Sequence, residues 1–315
     1  MDIVTVFNYP NNKNYNLMFK IWIMQILKCK FKNKEIKNII ILTKKLSIQL
    51  NEFIKILNAK FIKIVICEEK NIIQPLSSKW KHNVGFKLYN LCRLKDPFIF
   101  IDADAIVIDN LDDPINVSKD KPLIGIDHQT IPGHTSHFDY KFINTGFLIV
   151  NDPSFLDYKK IINTPIKYRC PGTDQMLIFN YCKMNNYDYT HKLIHYGWNS
   201  CAKYKKKINN KIVSDGILES HEVHVLHYWF KFKPWITPCS IYKEFSQQII
   251  LFELLLQKIK IINPLKALLL FLKFQQYNKC NVLCDNEDLF EDIKILNLRG
   301  NTDSIDKNTD YDIKM

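Results

Sequence analysis

Over its first hundred residues the chain repeats one unit, a short apolar β-rich run followed by a longer stretch with an apolar helical face. DIVTVF (2–7), IKNIIILT (36–43) and FIKIVI (61–66) read as strands, separated by helical patterns at YNLMFKIWIMQILKC (15–29) and SIQLNEFIKILN (47–58). Short β-branched runs divided by helices predict parallel strands buried on both faces, because each crossover lays its helix on a face of the sheet. The expected fold class is therefore α/β, a Rossmann-like sheet flanked by helices of the kind that binds nucleotides.

The pattern continues with a helix at VGFKLYNLCRL (84–94), a strand at PFIFI (97–101) and strands at KPLIGI (121–126) and KFINTGFLIVN (141–151). PSFLDYKKIIN (153–163) and TDQMLIFNYCKMNN (173–186) read as helices, the second with Thr173 as its N-cap. HEVHVLHYWFKFKPW (221–235) is a last strand running into a loop that Pro234 stops. This divides the chain into a body at 1–240, an apolar helical extension at 241–284 broken by Pro264, and an acidic tail at 285–315 expected to be disordered.

At 315 residues and 47% hydrophobic, there is enough apolar material for a large core. The formal net charge is +12, and the tail holds nine acidic against four basic side chains, so the body is more basic still. Charge alone does not choose among nucleic acid, anionic lipid and a phosphorylated small molecule. Abundant Ile, Asn and Lys with only 8 Gly is the mark of an AT-rich genome, such as those of many large DNA viruses, so lysine runs such as KYKKKINNK (203–211) carry little weight. No nucleic-acid module is legible, and no specific nucleic-acid partner is expected. Nine cysteines without CxxC spacing exclude a zinc framework or a disulfide scaffold. MDIVTVFNYP shows no secretory leader, which points to the cytoplasm or the cytosolic face of a membrane, in an infected cell or a virion on the viral reading.

The chemistry concentrates at FIFIDADAIV, where Asp102 and Asp104 leave what reads as a buried strand. Uncompensated carboxylates in such a place are costly, so a positive partner is required. In an extended segment two carboxylates at i and i+2 point the same way, and the small Ala103 between them keeps the approach open. They suit a divalent cation with oxygen ligands, leaving coordination positions for phosphate oxygens. The motif alone is weak, since Asp310 and Asp312 form another in the tail.

HYWFKFKPW supplies the second group of residues. His227 offers a nitrogen ligand, which favours Mn2+ over Mg2+. Lys233 offers a cation for charge growing on a departing phosphate.

Taken in order, Lys87, FIFIDADAIV, INTGFLIV, GTDQMLIFN, YGWN and HYWFKFKPW resemble the motifs of the glycogenin-like retaining glycosyltransferases, glycosyltransferase family 8, over residues 2–238. The resemblance implies the GT-A nucleotide-diphospho-sugar transferase fold, a Rossmann-like mixed sheet flanked by helices with a C-terminal helical extension, a UDP-sugar donor and a glycan, protein or lipid acceptor. It implies that Asp102, Asp104 and His227 ligate the metal and that Lys233 contacts the diphosphate. Lys87, Asp102, Ala103, Asp104 and Gly146 would line the donor site, with Asn144 and Thr145 near sugar and acceptor. Asp174 and Gln175 would stand at the anomeric centre, and Phe7, Asn8 and Tyr9 would border uracil, with Tyr9 stacking on it. One position departs: the family's glycine three residues after the metal histidine is Phe230.

Two other readings remain open at this stage: a catalytically degenerate sugar-nucleotide or carbohydrate binder, which Phe230 favours, and a haloacid-dehalogenase-like phosphatase. The latter also uses DxD after an apolar strand but expects Thr or Val where Ile106 stands. His128, His134 and His137 read as a polar acceptor-side loop rather than a zinc site. Residues 242–277 suit either core packing or contact with an anionic membrane surface, and a homodimer is left open.

Overall fold

The computed structural model describes residues 1–9, 11–57, 59–67, 81–108, 110–117, 119–127, 141–170, 172–201, 205–208, 211–214, 222–228, 233, 235, 246, 247, 249 and 250. Phe230, the loop bearing His128, His134 and His137, the acidic tail and nearly all of the 242–277 segment lie outside them.

The chain opens with β1 (Asp2–Val6), α1 (Lys13–Lys32), β2 (Ile39–Thr43), α2 (Ile48–Leu57) and β3 (Ile62–Ile66). It continues through α3 (Lys81–Leu91), β4 (Phe98–Ile101), β5 (Ala105–Val107), α4 (Asp112–Asn116), β6 (Leu123–Asp127) and β7 (Ile143–Val150). After α5 (Tyr158–Asn163) and α6 (Thr173–Met184) come four short strands, β8 (Ser200–Cys201), β9 (Lys205–Ile208), β10 (Lys211–Ser214) and β11 (Val225–His227).

Six strands form the main sheet in the order β3-β2-β1-β4-β7-β6. The pairs among β3, β2, β1 and β4 are parallel, while β7 runs antiparallel to both β4 and β6. The sheet is therefore mixed, as the GT-A expectation implies, with its parallel part where the first hundred residues predict it, and the reversed β7 shapes the site: its N-terminal end meets the carboxyl end of β4. A small sheet, β5-β11-β8, stands beside it, and β9 pairs antiparallel with β10, which places Lys205, Lys206, Lys207 and Lys211 in strands.

The helices owe their positions to apolar faces. In α1, Phe19, Trp22, Ile23 and Ile26 are fully buried, and burial of each such side chain stabilises by about 1.5–3 kcal/mol. Asn12 caps this helix by accepting from the amides of Asn14 at 3.0 Å and Tyr15 at 3.2 Å, an arrangement worth about 1 kcal/mol. The cap starts the helix two residues before the apolar run and puts Tyr15 in its first turn. At the far edge β3 departs from the expectation of a strand covered on both faces, since Val65 and Ile66 are 41% and 61% exposed.

Three local expectations are corrected. Thr173 is the first helical residue of α6 rather than its cap; Gly172 holds the cap position at φ +82°, a conformation that favours glycine. Asp102 to Asp104 is a turn and not extended chain, closed by the Ala105 amide donating to the Asp102 carbonyl at 3.1 Å. PSFLDYKKIIN is divided, into a 3-10 turn at Pro153–Phe155 and α5.

Among the described residues, no helix is long and apolar enough to cross a membrane.

Candidate functional site

Strand register brings the site together. β1 pairs with β4 so that Val4 lies beside Phe100, which leaves Phe7, Asn8 and Tyr9 at the same end as Asp102 and Asp104. β7 pairs Phe147 with Ile101, and the Asp102 amide then donates to the Gly146 carbonyl at 2.9 Å. Asn144, Thr145 and Gly146 thereby face the aspartate turn. β11 sets His227 opposite Ala105, one residue past Asp104, and the Tyr228 amide donates to the Asp104 carbonyl at 3.0 Å. These positions follow the rule that open α/β sheets gather ligands beyond the carboxyl ends of their strands.

Ligand atoms of Asp102, Asp104 and His227 all lie within 4.8 Å of one another. His227 Nε2 is 3.2 Å from Asp104 Oδ1 and 3.6 Å from Asp102 Oδ2. Its other nitrogen, Nδ1, lies 2.8 Å from Asn199 Oδ1. The ring packs so closely against the backbone of Gly146 that a Cβ there would overlap Nδ1. Gly146, expected as a donor contact, thus makes room for the histidine. Two carboxylates and one imidazole nitrogen fit a divalent cation such as manganese, held mainly by oxygen with one nitrogen ligand.

Lysines pair with the same carboxylates. Lys233 Nζ donates to Asp104 Oδ2 and lies 5.3 Å from the ring centroid of Tyr15. Burial would raise the Asp104 pKa, but the Lys233 charge and then His227 outweigh it and hold the carboxyl far below the usual range. Lys87, on α3, reaches Asp102 Oδ1 at 3.1 Å, Asp174 Oδ2 at 2.9 Å and the Thr145 carbonyl at 2.9 Å. Burial opposes its charge, but Asp102 and Asp174 together still raise its pKa. Thr145 Oγ1 donates to Asp174 Oδ2 at 2.6 Å, and Lys87 with this bond keeps Asp174 low despite burial. Asp102, which shares Lys87 with Asp174, is pushed upward by burial.

The other expected site residues divide. Asn144 Oδ1 accepts from the Gly146 amide at 2.9 Å within β7, where the register against β6 shifts. Gln175 stands at the start of α6 with its amide folded over Gly172, where a Cβ would come within 2.9 Å of Nε2. Phe7 is a core residue, fully buried and stacked on Phe19 at 4.3 Å, so its side chain offers no ligand surface. Asn8 has both side-chain polar atoms buried with no partner among the described residues. Tyr9 is 40% exposed and stacks on Tyr15 at 4.2 Å. Trp235 meets the same Tyr15 ring edge-on at 4.9 Å.

Sequence reasoning does not single out Tyr15 or Asn199. Tyr15 reads as one more helical residue, although it falls in the first turn beside Lys233. Asn199 is in view within YGWN, but nothing in that tetrapeptide says that it faces a histidine on another strand.

No protein-family model matches the sequence, and no curated protein matches it. Solved structures do match in fold. The galactosyltransferase LgtC, in complex with donor and acceptor sugar analogs, superposes with a TM-score of 0.56 at 15% identity, covering 78% of this chain and 95% of that one. The glycosyltransferase GlyE of Streptococcus pneumoniae TIGR4 gives 0.53 at 16%, covering 82% of this chain and 63% of its own. The bifunctional glycosyltransferase WbbM gives 0.50 at 13%, over 78% and 51%. The chain has the GT-A fold of these glycosyltransferases, a mixed α/β sheet flanked by helices.

Proposed function

We propose that this protein is a metal-dependent glycosyltransferase that moves a sugar from a UDP-sugar to a hydroxyl of a glycan, protein or lipid acceptor, with retention of anomeric configuration. The observation that carries the reading is the convergence of Asp102, Asp104 and His227 within 4.8 Å at the carboxyl end of β4, in a GT-A fold. The ordered motifs resembling glycosyltransferase family 8 support the finer assignment.

Asp102, Asp104 and His227 would hold the cation, for which Mn2+ is the best match to the donor set and Mg2+ the second. When bound, it supplies Lewis-acid stabilisation to the leaving diphosphate. Lys233, displaced from Asp104, would turn to the diphosphate and place a second positive charge where negative charge grows. Asn8, whose amide has no partner among the described residues and can both donate and accept, is suited to the edge of a pyrimidine, and Tyr9 to its face.

In the transfer, the bond from the anomeric carbon to the phosphate oxygen breaks as the acceptor oxygen bonds to that carbon, and the acceptor proton passes to the departing phosphate. Asp174 is held ionised by Lys87 and Thr145, so it is suited to stabilising positive charge on the ring and poor at donating a proton. A hydrolase would instead need one protonated carboxyl flanking the bond. We assign the reaction to the cytosol or to a cytosolic membrane face reached through 242–277.

The experiment is turnover: incubation with a panel of UDP-sugars and Mn2+, following UDP release. Metal-dependent release abolished in Asp104→Asn supports the transferase. Tight UDP binding without release from any donor would favour a binding protein.

A further inference from the structure

We infer that Asn199 is the positioning residue of the metal-site histidine: its side-chain oxygen holds the proton of His227 on Nδ1, so that Nε2 presents its lone pair to a cation between Asp102 and Asp104. This deepens the proposed function and rests on it.

An imidazole has two ring nitrogens. A neutral ring carries one proton, and whichever nitrogen holds it cannot ligate a metal, so the partner of the far nitrogen selects the ligand. In His227 the nitrogen facing the aspartates is Nε2, and the far one, Nδ1, lies 2.8 Å from Asn199 Oδ1. An amide oxygen only accepts, so Nδ1 must donate.

The surroundings make this oxygen a fixed feature. Asn199 is 3% exposed and closes the 3-10 turn Tyr196–Asn199, directly before β8, which pairs in parallel with the strand that carries His227. That turn is held against residues 222–224. Trp198 stacks on His224 at 4.2 Å, and Gly197 lies so close to the Glu222 carbonyl that a Cβ would overlap it. The backbone of Gly146 also bounds the imidazole, against Nδ1 and Cε1. The ring's Nδ1 edge is therefore held by a glycine that leaves no spare room and by an acceptor.

The rest of the amide has no competing duty. Asn199 Nδ2 is buried with no partner among the described residues, so the bond to His227 is what the polar group contributes. Leucine has a similar volume and no polar atom, while aspartate keeps an acceptor oxygen and loses the donor. The pair Asn199→Leu and Asn199→Asp thus separates acceptance from shape.

The test measures Mn2+ binding alone, by the electron paramagnetic resonance signal of the free ion, in the wild type and both variants, with thermal melting of each metal-free protein. We expect Asn199→Leu to weaken Mn2+ binding by about 10- to 100-fold, the usual effect of losing an outer partner of a metal ligand. Asn199→Asp should stay within about threefold of wild type on the same reasoning. Leucine binding as tightly as wild type, or both variants losing affinity alike, would overturn the inference while leaving the metal site itself intact. A wild type that binds no Mn2+ would remove the metal reading and this inference together. Nitrogen-15 spectroscopy of the metal-free wild type provides a second measurement that needs no variant to fold: a proton on Nδ1 of His227 is expected, and a bare Nδ1 contradicts it.

Discussion

Lys87 Nζ stands 2.9 Å from Asp174 Oδ2, an ion pair that ties α3 to the first turn of α6 behind the aspartate turn. The same ammonium reaches Asp102 at 3.1 Å, so one buried cation serves two carboxylates from different parts of the chain.

This shared cation has a stability signature. We predict that Lys87→Met destabilises the protein by about 3–5 kcal/mol at pH 7, the usual cost of stranding a buried charge. The folded pKa of Asp174 is lowered, so its contribution is present above the unfolded value of about 3.9 and is lost as pH falls through the folded value. The gap between wild type and variant should therefore narrow toward acid pH. Urea melts of both proteins at pH 7 and pH 3 would check it, and a constant gap would mean that Lys87 acts through packing.

The hydroxyl of Thr145 donates to Asp174 at 2.6 Å. Thr145→Val keeps the shape of the side chain and removes this bond, at an expected cost of about 1.5–3 kcal/mol for a hydrogen bond to a charged group. Denaturant titration measures the loss. Adding Thr145→Val to Lys87→Met should cost less than the sum of the two, because both act on the same carboxylate.

Gly146 is intolerant of a side chain for a reason specific to this site. A Cβ there would overlap both Nδ1 and an adjoining ring carbon of His227. Gly146→Ala should cost about 1–3 kcal/mol, as overpacking does, and should weaken Mn2+ binding because the imidazole must move. Melting with and without Mn2+ gives both quantities; retention of the wild-type metal response would show that His227 is not needed in its present place.

Much of this arrangement is legible in the amino-acid sequence. IKNIIILT and KFINTGFLIVN predict β2 and β7 to within three residues, because short, largely apolar runs with polar ends leave little choice. The direction of β7 is another matter: no local signal in INTGFLIV states that it runs against β4, and that reversal is what brings Asn144 to Gly146 up to the aspartates. Thr173 looks like a cap by type, yet Gly172 takes the position because its left-handed backbone turns the chain into α6. Phe7 sits beside Asn8 and Tyr9 in sequence and yet belongs to the core, because the strand's last inward side chain meets Phe19 of α1. Asn199 could not be placed from sequence, since its role depends on a strand that arrives 28 residues later.

The proposed function stands on Asp102, Asp104 and His227 holding a cation that carries a nucleotide diphosphate. Calorimetric titration of UDP into the purified protein, with and without Mn2+ and repeated on Asp104→Asn, tests it most directly. Binding should depend on Mn2+ and disappear in the variant, whereas UDP binding of equal strength in all conditions, or in none, would rule out a nucleotide-carrying cation at these residues.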